Sequence, residues 1–255
     1  MFDPLGDEIK KEYEKPETSR VIPREQPIVI RLDGRAFHTF TRDAERPVDK
    51  TISNALMYAC AQLVGHFKAE IGYCQSDEVT LVLGSQQGDR SEHPFGGKIQ
   101  KLCSVSSGFC TAAFLQGLPS HLQERLPHFD SRVFGVPDMA AANRVLIWRE
   151  QDAKRNAVQS LGQYIIGKKA IHGMTTKQVA KRLEDGYGEK TTMYGNHFAR
   201  GTYFARVTED VELTEEQRNA IPEKHRPPEG ELVKRSRVVS INYDPRLYEG
   251  EYNGG

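Results

Sequence analysis

Two short apolar runs, three residues apart, constrain the fold of this chain more than any other feature of its sequence. Residues 71–75 and 79–83 are largely apolar, and the residues between them, 76–78, are polar. This pattern predicts two antiparallel strands joined by a tight turn. A third apolar run at 28–32 ends at Asp33 and predicts another buried strand. The chain therefore builds a sheet around a hairpin.

Segments with helical spacing separate these strands. Apolar residues recur every three or four positions over 52–67, behind the capping residue Asp49, and again over 102–112. A further strand is predicted over 131–136, and a long helix begins after Asp138. The order strand, helix, strand, strand, helix, strand predicts an α+β fold of the ferredoxin-like, split βαβ type.

The chain beyond residue 167 is more polar and less regular. We expect a catalytic domain over 1–166 with an N-terminal extension, and an appendage over 167–255 that packs on it and ends in a disordered tail. The elements expected in the appendage are a helix over 175–184 and strands over 201–207 and 238–243.

Composition limits the partners that this chain can bind. The net charge is zero, so any contact with nucleic acid must come from local basic patches. The basic residues that could form them are Lys154, Arg155, Lys168, Lys169, Lys181 and Arg182. Charge alone favours a solvated helix face for these residues.

The cysteines and the hydropathy pattern indicate a cytoplasmic protein with no membrane partner. The four cysteines lack the spacing of a zinc site, and reduced thiols are the simplest interpretation. No apolar run is long enough to span a bilayer, and the polar N-terminus does not resemble a secretory signal.

Two carboxylates fall where this topology brings strand ends together. Asp33 ends the first strand, and Asp77 lies in the hairpin turn with Glu78 beside it. Because the first and third strands are antiparallel neighbours in this fold, Asp33 and Asp77 should lie close together. Paired carboxylates favour a bound Mg²⁺, and two such ions can support phosphoryl transfer. A simple Asp-Gly turn with a polar hairpin tip is the alternative.

The residues after Asp33 suggest a phosphate site. The turn formed by Gly34, Arg35, Ala36, Phe37 and His38 can present backbone N–H groups to an anion. It lacks the Gly-x-x-x-x-Gly-Lys pattern of a P-loop. Cations that could neutralise a triphosphate are Arg46, Lys98 and Lys101. Each of these is individually also typical of a surface residue, and His38 is equally consistent with a packed histidine.

These residues form motifs that resemble those of the tRNA-His guanylyltransferase superfamily. Four stretches match in order, between about Arg31 and Asn156. They are Arg31-Leu32-Asp33-Gly34-Arg35-x-Phe37-His38-x-Phe40, Tyr73-x-Gln75-Ser76-Asp77-Glu78, Phe129-Asp130-x-Arg132-Val133 and Trp148-Arg149-x-x-Asp152. A looser likeness extends to Arg200-Gly201-Thr202.

The resemblance implies a polymerase-like palm that works in the 3′-to-5′ direction on the 5′ end of tRNA, with ATP and GTP as substrates. It implies that Asp33 and Asp77, with the Gly34 carbonyl, bind two Mg²⁺ ions and act together with Glu78. It further implies a homotetramer. By the same resemblance, Ser76 and the turn from Gly34 to His38 bind the triphosphate, and Lys98, Lys101 and Arg132 contact phosphates. Arg46 and Asp49 would belong to the nucleotide site. Asp49 is also explicable as a helix cap.

One departure from the family pattern bears on the substrate. Members specific for tRNA-His carry His-Ile-Asn-Asn where this chain has Lys154-Arg155-Asn156-Ala157, and a downstream Lys-Asn-Glu is absent around Lys190. The sequence is thus more similar to the Thg1-like branch, which repairs 5′-truncated tRNA using a template. Lys154 and Arg155 would then contact RNA phosphates. The alternatives are addition of a single G to tRNA-His, a nucleotidyl cyclase and a catalytically silent RNA-binding module.

Overall fold

The computed structural model describes residues 3–86, 92–191 and 196–247. Within them one antiparallel sheet has the strand order β4-β1-β3-β2-β5-β6. The strands are β1 (Ile28–Gly34), β2 (Ile71–Gln75), β3 (Glu78–Leu83), β4 (Phe129–Gly135), β5 (Thr202–Glu212) and β6 (Leu232–Ile241). The helices are α1 (Pro4–Ile9), α2 (Lys15–Thr18), α3 (Phe37–Phe40), α4 (Lys50–Phe67), α5 (Ile99–Gly117), α6 (Ser120–Gln123), α7 (Met139–Leu161), α8 (Thr176–Thr191), α9 (Asn196–Arg200) and α10 (Glu215–Asn219).

Helices cover both faces of the sheet. The alternation of side chains along β1 directs Ile28, Ile30 and Leu32 into a core shared with α4 and α5. Val29 faces the opposite side, where it packs in a second core with Leu146 of α7. The α+β fold predicted from the order of elements is therefore confirmed, with α4 and α5 on one face and α7 on the other.

Some of the observed elements extend beyond the apolar patterns, whereas β2 has the expected bounds, 71–75. The strand expected at 28–32 continues through Asp33 and Gly34, because both residues pair with β4. The helix expected at 52–67 begins at Lys50, and Asp49 caps it by accepting hydrogen bonds from the N–H groups of Thr51 and Ile52. The long helix after Asp138 is also present, capped by that residue.

The last two strands extend the same sheet. β5 pairs with β2 from Thr202 to Ala205 and then continues beyond it, paired with β6 alone. The division of the chain at residue 167 therefore stays a prediction, and the expected tail at 251–255 lies outside the described residues. No helix in the described part of the chain combines the length and the apolar character needed to cross a membrane.

A buried carboxylate fastens the C-terminal part of the chain to α7. Glu150 is fully buried, and its Oε2 accepts hydrogen bonds from Arg200 (3.1 Å) and Tyr203 (3.0 Å). Its Oε1 lies 2.8 Å from Lys154 Nζ and 2.9 Å from Arg246 Nη1. Burial alone would raise the pKa of Glu150, but the contacts with Lys154, Arg246 and Tyr203 outweigh burial and lower this pKa to about 2.

We expect Glu150→Gln to destabilise the protein by about 1–3 kcal/mol, because the neutral amide loses charged hydrogen bonds to three partly exposed cations, Lys154, Arg200 and Arg246. The pKa of Glu150 in the folded state lies below its ordinary value of 4.5, so the carboxylate stabilises the fold above pH 4.5. That contribution is lost as the pH falls towards 2. Urea unfolding of both proteins from pH 7 to pH 2.5 should show a difference that shrinks on acidification.

The matched control is Glu209→Gln, which removes an exposed carboxylate paired with Arg237 at 2.6 Å. Exposed ion pairs contribute little to stability, so this variant should unfold like the wild type. Equal unfolding free energies for Glu150→Gln and the wild type at pH 7 would contradict the stabilising role of the buried carboxylate.

Candidate active site

The pairing of β1 with β3 sets the geometry of the candidate site. Asp33 stands opposite Glu78 in the register of these two strands. The next residue, Gly34, donates its N–H to the carbonyl of Asp77 over 2.9 Å. Ser76 turns the chain between β2 and β3 with a left-handed backbone, at φ 51°. The structure therefore brings Asp33 and Asp77 together at one end of the sheet.

Asp77 lies in surroundings that disfavour its charged form. Burial raises the pKa of Asp77, and the negative charge of Asp33 raises it further, whereas a hydrogen bond from Ser76 lowers it. A buried carboxylate beside a second negative charge is stabilised by a bound cation. The donor set consists of oxygens, which suits Mg²⁺.

A Mg²⁺ ion at this site would need ligands in addition to the two aspartate side chains. Among the described residues, no group of three or more His, Cys, Asp or Glu side chains could hold a metal. Mg²⁺ is commonly held by one or two carboxylates together with substrate phosphates and water. The pair Asp33 and Asp77 fits that mode of binding, with the Gly34 carbonyl as an adjacent oxygen.

Two arginines lie beside Asp33. Arg31 Nη2 is 3.5 Å from Asp33 Oδ2 and 3.7 Å from Glu78 Oε1. Arg132 Nη1 is 3.9 Å from Asp33 Oδ2, and its other terminal nitrogen is 3.4 Å from Asp130. The predicted phosphate-binding residue Arg132 therefore does reach the carboxylate end of the sheet.

Glu78 differs from the two aspartates. Both of its carboxylate oxygens accept hydrogen bonds from the single guanidinium of Arg149, each over 2.8 Å. Arg149 uses one acceptor site on each oxygen, and Arg31 lies 3.7 Å from Oε1, so protein cations already neutralise this carboxylate. Its predicted catalytic role is untested, and the contacts of Glu78 are those of a supporting group.

The turn after Asp33 has the shape of an anion site. Ala36 adopts a left-handed conformation, at φ 53°. The Arg35 N–H donates to the carbonyl of His128, but in the described residues the N–H groups of Ala36, Phe37 and His38 have no backbone acceptor. His38 is exposed, so the alternative of a packed histidine is wrong.

A glycine is required at the start of this turn. A Cβ atom at position 34 would lie 2.3 Å from the ring of Phe37, which is impossible without movement. That ring is itself fixed, because it packs against Phe40, Phe114 and Phe129 with centroid distances of 5.1 to 5.6 Å. The aromatic core therefore holds the turn in place beneath the candidate phosphate site.

A cavity of about 200 Å³ adjoins the hairpin turn. The sequence-predicted site residues that line it are Arg46, Asp49 and Ser76. Asp49 thus both caps α4 and lines the cavity. Wall residues that the sequence analysis did not single out for the site are Gln75, Asn156, Ser160, His197 and Phe198. These come from β2, α7 and α9, so no local motif could have grouped them.

The direction of α5 separates two predicted site residues from the carboxylates. Ser107 and Thr111, in the middle of α5, hydrogen-bond to Phe129 at the carboxylate end of β4. Lys98 and Lys101 precede them at the start of the helix, towards the opposite end of the sheet. β1 covers six residue steps from Ile28 to Gly34, which is roughly 20 Å. Lys98 and Lys101 therefore lie in the part of α5 that is farther from Asp33, and their phosphate contacts stay a prediction.

Both basic residues predicted to contact RNA are engaged with carboxylates of α7. Lys154 pairs with buried Glu150, and Arg155 lies 2.5 Å from Asp152. About half of each side chain is nevertheless exposed. Contact with RNA phosphates stays a prediction for Lys154 and Arg155, and their partners restrict where they can reach.

The fold and the paired carboxylates are those of a palm-type nucleotidyltransferase, and comparisons with known proteins agree. The sequence model of the tRNAHis guanylyltransferase family, Thg1, matches residues 7–137, just over half of the chain. The tRNA(His) guanylyltransferase of Schizosaccharomyces pombe is 32% identical over 184 residues, which cover 69% of this chain and 66% of that protein.

Solved structures extend the match to the fold. A bacterial Thg1-like protein in complex with ATP superposes with a TM-score of 0.72 at 25% identity, covering 79% of this chain and 88% of that one. A complex of such a protein with GTP gives 0.71 at 23% identity, over 93% and 91% of the two chains. This protein belongs to the tRNAHis guanylyltransferase family and is a nucleotidyltransferase.

The variant Asp77→Asn tests whether Asp77 is a metal ligand, because burying its charge and binding a metal have opposite effects on the melting temperature. The raised pKa of Asp77 means that its ionised form weakens the fold as the pH rises through that pKa. At pH 7.5 without divalent ions, the variant should melt at the same temperature or up to about 4 °C higher. Mg²⁺ with a nucleoside triphosphate should stabilise the wild type but not the variant.

Asp210→Asn serves as the control for this comparison, since Asp210 is exposed and lies on β5 beyond the part of that strand that pairs with β2. It should respond to Mg²⁺ and nucleotide like the wild type. A wild-type melting shift in Asp77→Asn would remove Asp77 from the metal site.

Proposed function

We propose that this protein adds nucleotides in the 3′-to-5′ direction to the 5′ end of tRNA, directed by the opposing strand. The main support for this proposal is that Asp33 and Asp77 lie close together at one end of the sheet, next to a cavity that Ser76 lines. Membership of the tRNAHis guanylyltransferase family supplies the reaction class and the tRNA.

In this proposal Asp33 and Asp77, with the Gly34 carbonyl, hold two Mg²⁺ ions. These ions supply charge neutralisation at the phosphate and activation of the attacking hydroxyl. The N–H groups of Ala36, Phe37 and His38 hold the triphosphate, assisted by Ser76. Arg132 neutralises phosphate at the same end of the sheet, and the cavity accepts the base and ribose of the nucleotide.

The reaction has two stages in this proposal. The 5′-monophosphate of the RNA first attacks the α-phosphate of a nucleoside triphosphate, which joins a nucleoside monophosphate to the RNA end through a phosphoanhydride bond and releases pyrophosphate. The 3′-hydroxyl of the incoming nucleotide then attacks that activated phosphate, forms the new phosphodiester bond and releases the activating group. The bacterial Thg1-like structures in complex with ATP and with GTP support nucleotides of both kinds as substrates.

The segment at 154–157 supports template-directed addition. The tRNA-His-specific pattern has His-Ile-Asn-Asn here, whereas Lys154 and Arg155 are paired with Glu150 and Asp152 of their own helix. Lys and Arg side chains commonly contact phosphate, and such contacts position RNA without reading a particular base. Pairing with the opposite strand can then supply the selection that the protein does not.

A fixed addition of one guanosine to tRNA-His is the second candidate. It is favoured by the relatives themselves, since the fission yeast protein and several others are tRNA(His) guanylyltransferases. We also propose a cytoplasmic location, which follows from the reduced cysteines, and a homotetramer, which rests on the family resemblance alone.

Replacing either aspartate should abolish nucleotide addition without unfolding the protein. Asp33→Ala and Asp77→Ala each remove one of very few protein ligands for the metal, and losses above about 1,000-fold are expected. Addition of labelled nucleotide to a 5′-truncated tRNA measures this directly, with circular dichroism as the check on folding. Near-normal turnover of a folded variant at millimolar Mg²⁺ would show that the metal assignment is wrong.

The templating base should decide which nucleotide is added. With a tRNA that lacks its first nucleotide, changing the opposing base from C to A should switch the preferred addition from G to U. The reason is that Watson–Crick geometry, not a protein pocket, selects the base. Sequencing the 5′ ends of the products after incubation with all four nucleotides measures the preference. Addition of G to tRNA-His alone, whatever the opposing base, would replace this proposal with the second candidate.

A further inference from the structure

The motif Trp148-Arg149-x-x-Asp152 contains a buried arginine for which the proposed reaction has no direct use. Arg149 is only 3% exposed, and it lies on α7 directly over β3. Its Nε donates to Glu78 Oε2 and its Nη2 to Glu78 Oε1, both over 2.8 Å. The same Nη2 lies 2.6 Å from Asp152 Oδ2, and the Trp148 ring is 4.3 Å from the guanidinium carbon.

These contacts leave the guanidinium with little freedom. Two parallel hydrogen bonds fix both the position and the plane of the guanidinium relative to Glu78. The ammonium group of a lysine cannot fix a plane in this way. Asp152 and Trp148 hold it from its own helix. A buried cation is costly unless it is fully paired, so a change at any of these partners disturbs the others.

The residues that Arg149 holds belong to the two strands of the candidate site. Glu78 follows Asp77 in the chain and stands opposite Asp33 in the sheet. Arg31 bridges Glu78 and Asp33 at 3.7 and 3.5 Å. One path of contacts therefore runs from α7 through Arg149, Glu78 and Arg31 to Asp33, and another runs through the Glu78 backbone to Asp77.

We propose that Arg149 is a positioning residue for nucleotidyl transfer, which sets Asp33 and Asp77 in the geometry that binds metal by clamping Glu78 from α7. This inference rests on the proposed metal-dependent reaction and adds to it a role for the helix motif. Glu78 is then the link in this path, and its carboxylate supports the site without contacting the substrate. Arg149 touches neither substrate nor metal.

The decisive variant is Arg149→Lys, which keeps the charge but cannot form the two parallel bonds. Supporting groups around metal ligands typically alter metal affinity or activity by about 10- to 100-fold. We expect the Mg²⁺ concentration for half-maximal activity to rise about tenfold. With an RNA already carrying a 5′-triphosphate, kcat should fall about 100-fold at low Mg²⁺ and recover in part at high Mg²⁺, with KM for the nucleotide within about threefold.

A second readout does not depend on activity. Mn²⁺ binding in the presence of a non-hydrolysable nucleoside triphosphate, followed by electron paramagnetic resonance, should weaken about tenfold in Arg149→Lys. Arg144→Lys is the matched control, because it makes the same substitution on an exposed face of the same helix. It should leave metal binding, kcat and Mg²⁺ dependence unchanged.

Asp152→Asn provides a milder test in case Arg149→Lys does not fold, since it removes one partner of Arg149 and leaves the pair with Glu78. Its Mn²⁺ affinity should fall by about threefold to tenfold. Unchanged Mn²⁺ affinity in a folded Arg149→Lys, or in Asp152→Asn if the first variant is unfolded, would overturn the positioning role. An inactive wild type that binds Mn²⁺ more tightly than Arg149→Lys would overturn the proposed function while supporting the role of Arg149.

Discussion

The antiparallel pairing of β1 with β3 is the interaction on which the rest of the site depends. It places Asp33 opposite Glu78 and ties Gly34 to Asp77, so that two carboxylates from distant parts of the chain meet. A slip of one residue in this register would turn Asp33 to the opposite face, towards the core of α4 and α5. The alternating apolar residues of β1 prevent that slip, because each belongs to one core or the other.

Charged residues of α7 stabilise the site from one face of the sheet. The helix offers Arg149 to Glu78 on one side and Glu150 to Arg200 and Arg246 on the other. Adjacent residues of a helix point about 100° apart, so consecutive positions reach two different neighbours. One turn of α7 therefore contacts both β3, at the carboxylate end of the sheet, and the C-terminal residues Arg200 and Arg246.

Much of this architecture could be predicted from local pattern. Strand and helix periodicity identified the ferredoxin-like order, and Asp49 and Asp138 marked helix starts correctly, because capping is a property of neighbouring residues. The juxtaposition of Asp33 with Asp77 followed from topology alone. Lys98 and Lys101 show the limit of this reasoning, since their distance from the carboxylates depends on the direction in which α5 crosses the sheet. The residues that line the cavity and those that pair with Glu150 could not be predicted from local sequence either, because in each case they lie far apart along the chain.

The composition of the cavity wall has a consequence for synthesis of the protein. Its lining begins at Thr41 and is completed only by His197 and Phe198, while Arg246 holds the helix that carries part of it. The residues of β1, β2 and β3 and both aspartates are synthesised early, yet the chain lacks one wall of the cavity until about four fifths of its residues have left the ribosome. Incomplete products of stalled translation would therefore carry the aspartates without a finished nucleotide pocket.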